Sequence, residues 1–441
     1  MLVMKFGGTS VGNAERIRAV SHIISERLQS KPVVIVSAVA GTTNALLEIA
    51  KENDTETRLE MIEALAAIHK KILSELALDM GLLDEELEEL VKLAKSKKKL
   101  DKKITDHFVS FGERMSAKIV AGTLVKMDVN AKAVPAWEIG MITDDSFAGA
   151  EPLPSSAALI REKISAFKAV PIITGYIGKT GKGDITTLGR GGSDYSAAII
   201  GAALKAEAIQ IWKEVDGIMS TDPRLVPEAQ VVHELAFEEA AELAYFGAKV
   251  LHPKTILPAM TARVPVQVLN TFNPSGRGTT IVSSFADRKE KSHSVEALTF
   301  KKGVIAIHIY SPEFFEGSGL MAAIFNVFEK YKTSVDVVST SVASVSLTVD
   351  NGEHLEKIVK ELAKLGTVQV EEDKAIVCAV GGSVNAAGVT GRMFSVLGEN
   401  DIAVEMISQA AGGVSITFVV NEGDAENALK ILHKQFIEST L

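Results

Sequence analysis

TTLGRGGSDYSAAIIGAAL, residues 186–204, runs from a polar stretch through three glycines into an apolar helix, and the fold turns on how it is read. Gly189, Gly191 and Gly192 make a loop whose backbone N–H groups can converge on an anion at a helix N-terminus. Arg190 within it offers a planar fork suited to a carboxylate or phosphate. Ser193-Asp194 stands where an N-cap belongs, so Asp194 is either a cap or a carboxylate held for chemistry. The preceding GYIGKT (175–180) is not a Walker loop. That pattern needs glycine at 173, which is Ile173, and a helix afterwards, where more loop follows.

Around this stretch, four short runs rich in β-branched residues read as buried strands: Leu2–Phe6, 32–37 (PVVIVS), Val170–Thr174 and 208–212 (AIQIW). Helical patterns lie between them. ERIRAVSHIISERL (15–28) carries Ile17, Val20, Ile24 and Leu28 on one stripe, and 55–124 reads as mostly helical. The charged tract LDEELEELVKLAKSKKKLDKK (83–103) is expected to project into solvent. Alternating strands and helices mean α/β layering. In open α/β sheets ligands bind beyond the carboxyl ends of the strands. Small and polar residues collect there in KFGGTS (5–10), VSAVAGTTN (36–44) and WKEVDGIMSTDPR (212–224). FGERMS (111–116) adds Glu113, and FGAKVLHP (246–253) adds Lys249. Lys5 is the odd member of its strand: a buried ammonium must find a partner, reach water or lose its proton.

The chain has 441 residues, more than one typical core, so two or three domains are expected. Its 46% apolar and 23% charged residues suit a soluble globular protein, and a net charge of −9 argues against nucleic acid or an anionic membrane as partner. Cys378 is the single cysteine, and the nine histidines show no metal-ligand spacing, so no metal site is expected. No signal-peptide pattern and no membrane-length apolar run is present, which predicts a cytoplasmic protein.

After FNPSGRGTTIVSS (272–284) the character changes, and a domain boundary is expected near 285. Beyond it lies an internal repeat. GLMAAIFNVFEKYKTSVDVVSTSVASVSLTV (319–349) aligns without gaps on GVTGRMFSVLGENDIAVEMISQAAGGVSITF (388–418). Phe325 matches Phe394, Val335 matches Val404 and Ser339 matches Ser408. Each copy reads as a helix, a turn, a strand, a small-residue turn and a second strand, a duplicated module rather than a solenoid.

KFGGTS, TTLGRGGSDYSA, VDGIMSTDPR and FGAKVLHP, in this order and spacing, resemble the aspartate kinase family, and the repeat resembles its C-terminal pair of ACT modules. The resemblance spans essentially the whole chain. It implies an α/β, three-layer amino-acid kinase fold with a central, mostly parallel sheet, followed by two α+β, ferredoxin-like ACT domains. The implied divisions are a catalytic domain over 1–285, an effector-binding ACT domain over 303–375, and a second ACT domain from 290–302 plus 376–441. It further implies transfer of the γ-phosphoryl of ATP, with Mg²⁺, to the side-chain carboxylate of L-aspartate. The product is 4-phospho-L-aspartate, the first step towards lysine, threonine and methionine. A relative acting on another carboxylate, or a catalytically silent ACT sensor of amino acids, are the alternatives. Lys5, Glu113, Arg190 and Asp194 together count against the second.

The resemblance also assigns roles. Lys5 bridges the transferred phosphoryl, Gly7 and Gly8 let backbone approach the phosphates, and Asp194 orients the lysine and the substrate amine. Arg190 grips a substrate carboxylate, Glu113 meets its ammonium, Thr43 and Ser193 add hydrogen bonds, and Ser37 and Tyr176 line the pocket. Lys213, Glu214, Met219, Arg224 and Lys249 fall at nucleotide positions. Here the chain departs from many bacterial members, which read Trp-Thr-Asp-Val over 212–215 and Tyr at 219. Ser334, Val335, Asp336, Thr340 and Ser341 match the effector loop, with Asp336 suited to an effector ammonium. The implied effector is lysine or threonine, although Phe314-Phe315-Glu316-Gly317 replaces the Met, His and Ser of lysine-regulated relatives. A homodimer through the ACT domains is implied as well.

Overall fold

The computed structural model describes residues 1–96, 100–247, 251–288, 294–311, 319–409 and 413–440. Two compact units divide the chain. The first comprises Met1–Ile218, His233–Phe237 and Leu251–Asp287; the second comprises Met219–Val232, Glu238–Val250 and Arg288–Leu441. The segments 219–232 and 238–250 therefore belong with the C-terminal residues, although they precede the boundary read near 285.

In the first unit, eight strands make one sheet: β1 (Leu2–Phe6), β2 (Pro32–Val36), β3 (Ala131–Val134), β4 (Val170–Thr174), β5 (Ala208–Lys213), β6 (Glu234–Ala236), β7 (Val266–Asn270) and β8 (Thr279–Val282). Their order is β6-β8-β7-β5-β1-β2-β4-β3, and every neighbouring pair is parallel except β7 with β8. The four strands expected from sequence are found. The other four escape notice because three of them are shorter than five residues and because polar residues such as Lys132 and Gln267 interrupt their apolar runs. All five residues of β1 are buried, as befits a parallel strand covered on both faces. Phe6 stacks on Trp212 of β5, ring centroids 5.8 Å apart.

Two sequence expectations need correction. The first helix spans Ala14–Ser25, capped by the Asn13 side chain, which accepts from the Arg16 N–H. Leu28 leaves its stripe, falling in a separate 3-10 turn, exposed. The helix within the charged tract does not stand free in solvent either. Its helix, Asp84–Lys95, contributes Leu90 and Ala94 to the core of the first unit, joined there by Leu83. Its acidic face pairs with helix Lys102–Lys126, through Arg114 to Glu89 and Lys118 to Glu86.

The second unit holds an antiparallel six-stranded sheet: β9 (Ala297–Tyr310), β10 (Val338–Thr340), β11 (Ser344–Val349), β12 (Thr367–Val380), β13 (Met406–Gln409) and β14 (Ser415–Asn421). The order β10-β11-β9-β12-β14-β13 places one copy of the repeat on each side of the long β9–β12 pairing. Helices Leu320–Lys330 and Leu355–Leu362 close the first half with Ile324, Phe328, Ile358 and Leu362. Val389–Glu399 and Ala425–Phe436 close the second with Met393, Leu397, Leu429 and Leu432. This is the duplicated α+β module expected of an ACT pair.

The duplication extends to charge. Asp336 and Glu405 occupy equivalent repeat positions, and each meets a lysine from a long central strand. Lys301 of β9 lies 2.9 Å from Asp336 and 2.8 Å from Asp350. The Tyr245 hydroxyl donates to the other Asp336 oxygen. The ammonium that sequence reading sought for Asp336 in an effector is thus supplied by this chain, and the carboxylate has no exposed surface. Ser334, Thr340 and Ser341 are exposed and Val335 is half-buried against the core of the first ACT half. Phe314-Phe315-Glu316-Gly317 lies outside the described residues.

Removing one partner of a buried pair strands the other. Lys301→Met is expected to destabilise the second unit by about 3 kcal/mol in urea unfolding. A loss below about 1 kcal/mol, the range of exposed pairs, would show that Asp336 does not depend on this partner.

Candidate active site

Three carboxyl-end loops of the large sheet and three helices, Thr42–Lys51, Lys102–Lys126 and Gly192–Leu204, contribute to the lining of a cavity of about 480 Å³ in the first unit. Lys5, Gly8, Ser37, Thr43, Glu113, Tyr176, Arg190, Ser193 and Asp194 all line it, residues far apart in the chain that sequence reading had singled out together. Gly7, Lys213 and Glu214 belong to the same unit without lining it. Met219 and Arg224 belong to the second unit, where Arg224 is exposed with its guanidinium on Asp222. Lys249 lies outside the described residues.

Helix Gly192–Leu204 begins two residues earlier than a Ser193 cap would allow and three earlier than an Asp194 cap would. Gly191 takes the cap position in the left-handed region, φ 70°, and no side chain caps the helix. Asp194 therefore sits in the first turn with its carboxylate free for other partners. Lys5 Nζ lies 2.6 Å from Oδ1, a charge contact without hydrogen-bond alignment, and Lys213 Nζ donates to Oδ2 at 3.0 Å. Strand register makes this possible. Lys5 lies opposite Ile211, so Lys213, two residues on, emerges on the same sheet face.

All three charges influence one another. Burial pushes the Lys5 ammonium down, against the pull of Asp194. Burial would raise Asp194, but the two lysines outweigh it and hold the carboxyl below its ordinary range. Two lysines thus share one carboxylate, and of the three residues Lys5 and Asp194 line the cavity.

Beside it the backbone comes close. A Cβ on Gly8 would meet the Ala38 carbonyl oxygen at 2.8 Å, so only glycine lets these two loops pack. Tyr176 is held at φ 66°, left-handed for a non-glycine residue, by its N–H to Ser196 Oγ and its carbonyl to the Leu188 N–H. Arg190 is exposed and forms no ion pair among the described residues.

Glu113, from helix Lys102–Lys126, is 2% exposed. Its Oε1 accepts from the Ala38 N–H at 3.2 Å, while Oε2 has no partner among the described residues. Burial pushes its carboxyl up to about 8, with the Ala38 N–H and Lys5 pulling the other way. A buried acid with one unmet oxygen at a cavity wall is suited to receiving a cationic group.

These features define a class: a cavity lined by charged residues on the fold of the amino acid kinases, followed in the chain by an ACT pair. Residues 1–270 match the amino acid kinase family model, and 377–436 match an ACT domain model. The chain is 38% identical to Aspartokinase 1, chloroplastic, of Arabidopsis thaliana, over 99% of this chain and 80% of that one. It is 35% identical to Lysine-sensitive aspartokinase 3 of Escherichia coli, over 99% of both. Among solved structures, E. coli aspartokinase III in complex with aspartate and ADP superposes with a TM-score of 0.81 at 34% identity, covering 98% of this chain and 99% of that one. The chain belongs to the aspartokinase family.

Glu113 generates a stability prediction. Its folded value near 8 exceeds its ordinary value of 4.5, so the folded state holds a proton that the unfolded state releases. That contribution is full below about 4.5 and disappears as pH rises through about 8. Glu113→Gln, which cannot ionise, should match the parent protein near pH 4.5 and show a Tm higher by several degrees at pH 8.5. Equal Tm at both pH values would show that Glu113 ionises normally.

Proposed function

We propose that this protein is an aspartate kinase, transferring the γ-phosphoryl of ATP to the side-chain carboxylate of L-aspartate to form 4-phospho-L-aspartate. The observation that carries the reading is the Lys5–Asp194 pair, with Lys213 on the same carboxylate, lining a cavity whose wall also presents Arg190 and Glu113, one oxygen of which has no partner among the described residues. The E. coli relative with bound aspartate and ADP, similar over nearly the whole chain, supports the substrate pair.

The chemistry asks for little more. The side chain of free aspartate loses its proton near pH ~3.9 and is already an anion at neutral pH, so no general base is needed. The obstacle is bringing one anion up to another, and cations with oriented N–H groups remove it. Lys5 meets the transferred phosphoryl, and Asp194 keeps its ammonium charged and aimed. Gly7 lets backbone approach the phosphates, and Gly8 lets the loop that carries it pack on Ala38. Arg190 holds the α-carboxylate, Glu113 takes the ammonium and gives up its proton as it does so, and Thr43 and Ser193 add hydrogen bonds. Ser37 and Tyr176 complete the wall. Mg²⁺ arrives with ATP as part of the substrate, and no group of three acidic, His or Cys side chains among the described residues is arranged to hold a metal by itself. Lys213 and Glu214 serve the nucleotide.

The ACT pair makes the enzyme a candidate for feedback by an end-product amino acid. The E. coli relative has been solved with lysine and aspartate in a T-state, at 34% identity and a TM-score of 0.78, which favours lysine as effector. Ser334, Val335, Asp336, Thr340 and Ser341 form the proposed effector loop, and two chains join through their ACT modules as a homodimer. Since Lys301 already sits on Asp336, an effector amine at that carboxylate competes with it. No helix among the described residues is long and apolar enough to cross a membrane.

Release of ADP by the purified protein, with aspartate, glutamate or N-acetylglutamate as acceptor, tests the reading. Turnover with aspartate alone, lowered by lysine, is expected. Turnover with glutamate and none with aspartate would overturn it.

A further inference from the structure

Helix Lys102–Lys126 carries a second buried acid on the face that holds Glu113. Asp106 lies seven residues earlier, two helical turns away, and is 2% exposed. It does not line the cavity. Its Oδ2 accepts from the backbone N–H groups of Ala148 and Thr187, both at 2.9 Å, and Oδ1 accepts from the Thr187 hydroxyl at 2.9 Å. Those donors belong to two different segments, Ala148 to the 144–150 turn and Thr187 to the end of the short strand Ile185–Thr187 that leads into the glycine-rich loop. Thr187 begins the stretch that continues through Gly189, Arg190 and Gly191. Ala148 ends a turn that meets the cavity, and it is held at φ 69°, a left-handed conformation that a non-glycine residue keeps only when its surroundings fix it.

The two segments touch each other as well. Ala150 N–H donates to the Thr187 carbonyl at 2.8 Å, and the Thr143 and Thr186 hydroxyls lie 2.7 Å apart. A single carboxylate nevertheless serves both segments at once, and it does so without an ion pair among the described residues. Burial pushes its carboxyl up. An apolar side chain would fill the space at less cost in desolvation but would orphan two backbone N–H groups.

We infer that Asp106 is a positioning residue for the amino-acid substrate, stapling the 144–150 turn to the glycine-rich loop and so fixing where Arg190 stands on the cavity wall. This rests on the reading above, in which Arg190 takes the substrate carboxylate. Asp106 touches no reactant; its effect reaches catalysis through Arg190.

Steady-state ADP release by the full-length protein tests it. Asp106→Ala should raise KM for aspartate about tenfold and leave KM for ATP within about twofold, because a misplaced contact group costs on this scale or more. Asp106→Asn should stay within about threefold of the parent, since the amide oxygen can accept both N–H groups while the NH₂ donates to the Thr187 hydroxyl. In an Arg190→Ala background, Asp106→Ala should cost less than about threefold further, as expected when two residues act as one. An unchanged aspartate KM in Asp106→Ala, or the same cost with and without Arg190, would overturn the inference. So would an Asn variant as impaired as the Ala variant. If Asp106→Ala does not fold, Thr187→Val removes one of the three bonds and should raise aspartate KM about fivefold; no rise would overturn the inference equally. A parent protein without aspartate-dependent turnover would instead defeat the functional reading, and the inference would fall with it.

Discussion

One ammonium inside a parallel sheet constrains this molecule more than any other group. Lys5 occupies the middle of a sheet built from apolar strands, where an unpaired charge is costly. Asp194 offsets that cost at 2.6 Å, from the first turn of a helix that starts with glycines rather than a side-chain cap. For the contact to form, β1 and β5 must be neighbours in their observed register, and helix Gly192–Leu204 must lie over them. Lys213 then completes a carboxylate shared by two lysines. Stability alone would be served at least as well by apolar residues in these places. The cluster makes sense as an electrostatic instrument: charge held ready where charge must be met, with no reorganisation needed at the moment of transfer.

The second unit uses the same kind of contact differently. Its two halves each place a lysine from the long central strand against the repeat's acidic residue, Lys301 on Asp336 and Lys374 on Glu405. In the first half a tyrosine from 238–250 joins in, so a segment that precedes the repeat in sequence is tied to the loop proposed for the effector. A ligand amine that displaced Lys301 would also disturb Tyr245. Coupling of that kind is reciprocal by necessity: whatever the effector does to substrate affinity, substrate does to effector affinity.

Much of this was legible beforehand because the physics is local. Continuous β-branched runs gave β1, β2, β4 and β5, and glycines beside polar residues at strand ends marked the loops that meet in the cavity. Nine singled-out residues from separate parts of the chain line one cavity. What stayed hidden depends on distance in sequence. β3, β6 and β8 are only three or four residues long, and β7 interrupts its apolar residues with Gln267 and Asn270. Asp194 could be read as a cap until the helix start was known. Lys213 was read as a nucleotide contact, and only strand register shows that it shares the face of Lys5. Asp106 leaves no signature at all, since its donors come from segments 42 and 81 residues away.

The central claim is that Lys5 is present for turnover and not for folding. Its most direct measurement is kcat for aspartate-dependent ADP release by Lys5→Met beside the parent, with thermal unfolding recorded on the same samples. Loss of about 10²–10³-fold in kcat is predicted. Asp194 keeps Lys213 as a donor in this variant, so the Tm should fall by no more than several degrees and the protein stay folded at assay temperature. A variant that keeps turnover within about tenfold, or loses it only in step with its fold, would contradict the account.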